Sequence, residues 1–331
     1  MSRFLLARGA QAVAVIAIVA TLAFVLVHIA PGDPFAQNLD DPANTASTHA
    51  QQLHQWGYDQ PIAVQYAKWM GNLARGEFGW SHSRNRPVSE VIMQTVPRTL
   101  LLMGTALIAG LFAGVALGTW QAARRGTFAE RASGVAAIAV LSIPEFLIAL
   151  AALALPAAAW HWFPVSGIGD PALHDSMTAL GRAADTARHL VLPAGTLALV
   201  TAAGVSRYHR AAMLAVLPEE FVRTARAKGA GEYSTVVRHA LRNALGPVIT
   251  ILGLIIPALF GGAVFVETIF NWPGIGRMMF DAVHGSDYPL VLAGVLIGTA
   301  LVVAGNMLAD LLQAAADPRL QHPAGPRPRA T

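Results

Sequence analysis

Uncharged apolar stretches recur along this chain, separated by connections that carry most of its charge. Ala10 to Ala30 contains Gln11, Thr21 and His28 but no formal charge, and Thr99 to Trp120 is uncharged over 22 residues. Ala132 to about Leu155 holds one charge, Glu145; Gly246 to Val266 holds none; Leu290 to Leu312 carries only Asp310, with Asn306 one turn earlier. At about 1.5 Å rise per residue, crossing a hydrocarbon core of roughly 30 Å takes about 20 apolar residues, which each of these runs supplies. A further run, Leu190 to Val205, has only 16 residues and includes Pro193, so it spans only if its helix continues through Ser206. The pattern predicts an all-α, polytopic membrane protein with six transmembrane helices. Trp120, Trp160 and Trp162 fall near the ends of runs, where amphipathic indoles favour the headgroup region. The first run follows Arg3 and Arg8, exceeds the about 7 to 15 apolar residues of a secretory signal, and precedes no small-x-small cleavage site, so it is expected to stay as an uncleaved helix.

The connections set the orientation. With the amino terminus inside, segments 1–9, 120–131, 206–245 and 313–331 hold 15 Lys and Arg in 80 positions, against 8 in 125 for 31–98, 156–189 and 267–289. That bias places both termini in the cytoplasm. Within 31–98, Pro61 suits a first helical position, and Ile62, Tyr66, Trp69, Met70 and Leu73 then recur at helical spacing. This stripe fits a helix lying on the outer membrane surface and equally a docking surface for an extracytoplasmic partner. Residues 321–331, rich in Pro and Arg, read as a disordered tail.

Apolar residues make up 54% of the chain and charged ones 13%, where a soluble domain has about a quarter charged. Lipid is therefore a principal solvent, and the net charge of +4 reports loop orientation and not an affinity for nucleic acid. The absence of cysteine removes disulfides and thiolate chemistry. The two lysines, Lys68 before Trp69 and Lys228 before Gly229, leave no Lys-Ser or Lys-Thr pair for a phosphate-binding P-loop. Gly-x-Ser-x-Gly and His-Glu-x-x-His are also missing, so no catalytic residue is assigned. The eleven histidines are scattered, and His49, His54 and His82 form no metal cluster, so no metal site is assigned either.

Between the fourth and fifth runs lie about 40 residues with seven Arg or Lys. Pro218 can open a helix there, Glu219 and Glu220 complement its positive end, Arg223, Arg226 and Lys228 lie toward its negative end, and Gly229 can end it in the left-handed conformation. A short helix over about 218 to 228 follows. It fits a basic helix on lipid headgroups and also a lever docked on a soluble partner.

Phe221-Val222-Arg223-Thr224-Ala225-Arg226-Ala227-Lys228-Gly229, followed by Arg238-His239-Ala240-Leu241-Arg242-Asn243-Ala244-Leu245, resembles the cytoplasmic coupling loop of permease subunits of dipeptide and oligopeptide ABC importers, with nickel and glutathione importers as relatives. Arg223, Thr224, Ala225 and Gly229 occupy the Glu-Ala-Ala-x-x-x-Gly positions, with Arg223 in place of the acid, a departure common in the peptide subfamily. Similar matches occur in order at Pro31-Gly32-Asp33-Pro34, Asp59-Gln60-Pro61 with Gln65-Tyr66, Pro87-Val88, Ser142-Ile143-Pro144, His189-Leu190-Val191-Leu192-Pro193, Glu267 to Gly276, Asp287-Tyr288-Pro289 and Asp317-Pro318-Arg319.

The resemblance implies the type I ABC importer permease fold in a bacterial inner membrane. The partners it implies are a homologous second permease, two cytoplasmic ABC ATPases carrying ATP and Mg, and an extracytoplasmic solute-binding protein; this chain itself would bind no cofactor. It implies a first helix with its extracytoplasmic segment over 1–98 and a five-helix core over 99–320 with a coupling loop at 206–245. Glu220, Phe221, Arg223, Thr224, Ala225, Arg226, Lys228 and Gly229 would couple to the ATPase, Gly229 permitting an exit that a side chain would obstruct. Glu145, Ser142 and Asn306 are candidates for the translocation path. A lone membrane carboxylate must face a wet cavity, be paired or be protonated, so Glu145 reads either as a substrate-amine site or as a packing partner to Ser, Asn or backbone groups. Asn306 and Asp310 share a helix face and suit interhelical hydrogen bonds. Glu267, Asn271, Trp272, Pro273 and Gly274 read as a gate or binding-protein contact, or as structure at the mouth. Peptides are the expected cargo, with nickel or glutathione as alternatives; an ion-coupled transporter would have no use for the coupling loop.

Overall fold

The computed structural model describes residues 2–29 and 60–316. Pro31-Gly32-Asp33-Pro34, Asp59, His49, His54, Asp317-Pro318-Arg319 and the tail over 321–331 lie outside the described residues. Among the described residues, five helices are long and apolar enough to cross a membrane, and six when one bent pair counts as a span. The chain forms two compact units, one comprising Met1–Gly9, Leu100–Trp272 and Val302–Thr331, the other Ala10–Thr99 and Pro273–Leu301.

In the first unit, α3 (Val88–Ala123), from Leu100 onward, leads through a turn to α4 (Phe128–Ser142). Thr127 caps α4 by accepting from the Glu130 amide, and Gly126 takes φ +87° before it. The third span, expected as one run from Ala132 to about Leu155, is broken instead. Pro144 has no amide to donate and disfavours helical geometry at Ile143, so α4 ends there and α5 (Glu145–Ala152), continued by a π-helical turn over Leu153–Ala159, departs at 101°. Pro156 lies within that π turn.

The long α6 (Ala179–Val216) packs against α4, α5 and α10 (Gly246–Ile269). It is the least apolar of the five long helices and the most buried, with 61% of its apolar window enclosed against 17% for the first span. This explains why it was the weakest span in the sequence: neighbouring helices, and not lipid, cover much of it. It continues through Ser206, as its short apolar run required. Gly110, Gly114 and Gly118 on α3, four residues apart, let the two backbones approach. A Cβ at these positions would stand 2.7 Å from Thr201 Cβ, 2.6 Å from Val205 Cβ and 2.7 Å from the Ser206 carbonyl oxygen. Thr119 Oγ1 and His209 Nε2 are hydrogen-bonded at 2.9 Å, and Arg210 pairs with Glu130 at 2.7 Å. His174 Nδ1 hydrogen-bonds the Asp185 carboxylate at 2.7 Å, which also accepts from the Asp170 amide and so ties down the loop before α6, while His189 Nδ1 hydrogen-bonds the Asp185 main-chain carbonyl at 2.9 Å. Near the other end of the chain, α12 (Tyr288–Ala316) brings Asp310 to Arg8 at 3.1 Å. Asp310 thus reaches between helices, as an ion pair with Arg8.

The second unit contains α1 (Ser2–Ile29) from Ala10 onward and α2 (Ile62–Ala74). Pro61 is the N-cap and not the first helical residue. The aromatic stripe of α2 faces α1: the Tyr66 and Trp69 rings lie 5.3 and 5.4 Å from that of Phe24, Tyr66 Oη meets Thr21 Oγ1 at 2.8 Å, and Gln65 meets His28 at 3.1 Å. A hairpin of β1 (Trp80–Ser81) and β2 (Arg86–Pro87) leads into α3, which starts eleven residues before Thr99. Val88, Val91, Ile92 and Thr95 are buried at helical spacing, an amphipathic turn that an apolar count passes over because Glu90 and Arg98 interrupt it.

The unit is knotted together at Asp287, which is wholly buried. Its carboxylate accepts from Ser81 Oγ (2.6 Å), Ser83 Oγ (2.7 Å), the Ser83 amide (3.0 Å) and the Leu290 amide (3.3 Å), so one side chain caps α12 and holds the hairpin. Burial lowers the pKa of the nearby His82, the Asp287 charge opposing that shift. Thr99 Oγ1 accepts from the Ile275 amide at 2.8 Å and so caps α11 (Ile275–His284).

Candidate functional site

The basic segment after α6 folds as a short helix seated on a small apolar core. Helix α7 spans Glu220–Ala227 with Glu219 as N-cap, so Pro218 precedes it and does not open it. At the other end the Gly229 amide donates to the Arg226 carbonyl (2.9 Å) and the Ala230 amide to the Ala225 carbonyl (3.1 Å), with Gly229 at φ +85°. These two bonds are a Schellman motif, which requires a left-handed residue at that position. No atom stands within 4 Å of where a Gly229 Cβ would lie. The constraint is therefore conformational, the left-handed helix end expected from sequence.

Val222 and Ala225 point inward. Val222 is fully buried in a cluster with Ala122, Met213, Val236, Ala240 and Ala244. The last three come from the segment that follows, α8 (Glu232–Ser234), a π turn over Thr235–Ala240 and α9 (Leu241–Ala244). Glu220, Phe221, Arg223, Thr224, Arg226 and Lys228 are exposed. Arg223 lies 3.5 Å from Glu220 and Arg226 lies 3.0 Å from Glu232, both at the surface. The helix is thus fixed from beneath by apolar contacts and displays an exposed face on which Arg223, Arg226 and Lys228 outnumber Glu220.

Glu145 opens α5 at the positive end of that helix. It lines a recess of about 200 Å³ with Thr201, Gly204 and Tyr208 of α6 and apolar residues of α10. A Cβ at Gly262 would collide with its carboxylate, so that glycine makes room for it. Among the described residues Glu145 forms no hydrogen bond or ion pair, so the packing partners expected in Ser, Asn or backbone are not found there. Ser142 is not brought to the recess: it is exposed and bonds back to the Ile138 carbonyl at 2.9 Å. Asn306 does not line it either, and its Oδ1 is buried without a hydrogen-bond partner among the described residues.

Glu267 and Trp272 are fully buried, and Trp272 joins an apolar cluster with Leu102, Leu197 and Phe270. The Trp272 amide donates to the Glu267 carbonyl at 2.8 Å, while Asn271 is exposed at φ +56°. In the other unit, Pro273 and Gly274 lead into α11 and line a recess with Arg84, Arg86, Arg98 and Arg277. Sequence reading counted those arginines only toward loop charge, because Arg277 is far from the others along the chain. Among the described residues no group of three His, Cys, Asp or Glu could hold a metal.

A family model described as binding-protein-dependent transport system inner membrane component matches residues 107–322, and the model for the N-terminal part of such membrane components matches residues 1–103. The chain is 38% identical over 323 residues to the oligopeptide transport system permease protein AppB of Bacillus subtilis, covering 97% of this chain and 100% of that protein. It is 38% identical over 320 residues to the di/tripeptide transport system permease protein DppB of Pseudomonas aeruginosa, covering 92% and 94%. With the glutathione transport system permease protein GsiC of Salmonella paratyphi A it shares 34% identity over 322 residues, 97% of this chain and 100% of the relative.

Proposed function

Because the chain belongs to the family of binding-protein-dependent inner membrane transport components, a multi-pass and non-enzymatic membrane part, we propose that it forms half of the pathway of an ATP-driven peptide importer. ATP is hydrolysed on separate subunits, in keeping with the missing P-loop. The other partners are a homologous permease and an extracytoplasmic solute-binding protein. Both termini are cytoplasmic, as the distribution of Lys and Arg favours. One observation carries this reading: α7 is capped at its end by Gly229, anchored through Val222, and cationic on its outer face. Closure of an ATPase pushes such a helix as a rigid body, where a loose loop would absorb the movement. Glutathione, itself a peptide, falls in the same cargo class, and the relative named for its transport supports that second reading.

The test is reconstitution in lipid with the second permease, the ATPases and the binding protein. Peptide-loaded binding protein should raise ATP hydrolysis above the unloaded level. Solute movement by this chain alone, driven by an ion gradient with no ATPase associated, would sink the reading.

The Glu145 recess gives a narrower prediction. A carboxylate with no partner among the described residues, in a recess otherwise largely apolar, suits the ammonium group of a passing peptide. Glu145→Gln is expected to slow uptake of a free-amine peptide by about tenfold, the range of a hydrogen bond to a charged group, and to affect its N-acetylated form less. Equal uptake of both peptides by both proteins would assign Glu145 to packing.

A further inference from the structure

The connection from α3 to α4 carries Arg124, Arg125 and Arg131 with a single carboxylate, Glu130, and the fold turns that carboxylate away from them. Glu130 is buried: Oε1 pairs with Arg210 of α6 at 2.7 Å, and Oε2 accepts from the Gly126 amide at 3.2 Å. The three arginines are exposed, and among the described residues none of them meets a carboxylate. Arg124 lies over the Trp120 ring, 5.6 Å from its centroid, an indole at the end of a span where headgroups begin. The connection is firmly held, since Thr127 caps α4 and Gln121 donates to Ser133 at 3.0 Å. Gathering like charges on such a turn costs free energy unless an anion offsets it.

Helix α4 extends the pattern. Its buried residues, Glu130 and Ala137, are seven apart and mark the face that packs on α6. Phe128, Arg131, Val135 and Ile138 recur at i, i+3, i+7 and i+10 on a different, exposed face, Phe128 being 85% exposed. That face is apolar with a cationic first turn. A soluble anion would satisfy the arginines and leave Phe128, Val135 and Ile138 uncovered. An apolar protein surface would cover those side chains and leave the arginines without an anion. A phospholipid of negative charge meets both needs, because guanidinium forks match phosphate oxygens and an acyl chain matches the apolar stripe.

We propose that the α3–α4 turn is a binding site for an anionic phospholipid of the cytoplasmic leaflet, its phosphate held by the arginines and an acyl chain lying along Phe128, Val135 and Ile138. The proposal rests on the orientation reading above, which puts residues 120–131 inside.

The chain has no cysteine, so a single introduced thiol can report on this site alone. Ala132→Cys, exposed in the first turns of α4, is labelled with bimane in the complete importer, and the same complex without the substitution gives the background. The importer is placed in phosphatidylcholine nanodiscs containing a small fraction of phosphatidylglycerol or phosphatidylcholine that bears a quencher on its acyl chain. Phosphatidylglycerol should quench several-fold more strongly than phosphatidylcholine at equal content. Arg131→Gln should lower that preference about fivefold and Arg131→Lys should restore most of it, while both remain folded because the side chain is exposed and without a carboxylate partner. Equal quenching by the two lipids would overturn the proposal, as would a preference that survives Arg125→Gln and Arg131→Gln together. No quenching by either lipid would mean that another subunit covers the face, and displacement by soluble glycerol 3-phosphate would mean a free-anion site; each overturns the lipid assignment. Orientation is checked separately: Ala129→Cys should react with an impermeant maleimide in spheroplasts only after the inner membrane is opened. Reaction in intact spheroplasts would defeat the orientation reading, and the leaflet assigned here with it.

Discussion

Arg223→Glu is expected to abolish stimulation of ATP hydrolysis by loaded binding protein while leaving the chain in the membrane at normal abundance. The two halves of that expectation come from different features. Arg223 is 65% exposed at its side chain, and its pairing with Glu220 at 3.5 Å, an exposed i,i+3 contact, is worth only about 0.3–0.5 kcal/mol. Its loss leaves α7 held by Val222, Ala225 and the Gly229 cap. Reversing the charge does change the face the helix shows a partner, from cationic to mixed, and a like-charge contact at an interface costs several kcal/mol. The measurement is ATPase rate against binding-protein concentration, paired with co-purification of the ATPase. A normal stimulated rate in Arg223→Glu would remove α7 as the coupling element. Val222→Asp is the structural contrast: it puts a charge into the apolar cluster beneath α7 and should deplete the folded chain itself.

Helix α7 was legible from sequence because local rules specify its end at Gly229 and place its start within two residues. The family motif fell on an element whose cap, left-handed glycine and exposed basic residues can each be read within about a dozen positions. The break within the third span was not legible from the apolar pattern. Apolar counting cannot distinguish a straight helix from two joined at Ile143-Pro144, and the break depends on backbone geometry that only the proline reports. Pairings distant in sequence were not legible at all. Asp287 reads as a turn residue, yet it gathers Ser81 and Ser83 from 204 to 206 residues away. Arg277 reads as a loop charge until folding places it with Arg84, Arg86 and Arg98. Glu145 was recognised as anomalous from its membrane position alone, but the recess it lines needed α6 and α10 in place.

Gly114→Leu is expected to remove most of the folded chain, and Gly104→Leu on the same helix is expected to be tolerated. A Cβ at Gly114 would stand 2.6 Å from Val205 Cβ, 2.8 Å from Val205 Cγ1 and 2.9 Å from the Ala202 carbonyl oxygen, whereas Gly104 has nothing within 4 Å. Both substitutions raise helix propensity by about 1 kcal/mol, so propensity alone would favour both. Packing decides the difference. The backbone carbonyl of Ala202 cannot rotate away as a flexible side chain can, so α3 and α6 would have to separate over a contact that also includes Gly110 and Gly118. In a membrane close backbone approach is a main source of helix association, since lipid tails solvate leucine as well as another helix does. Separation would also strain the bond between Thr119 and His209, on the same pair of helices. The thermal midpoint of the purified chain in detergent, together with its abundance in membranes, measures both effects. Similar midpoints for the two variants would mean that α3 and α6 do not rely on this glycine seam, and the recess lined by α6 would then need another support.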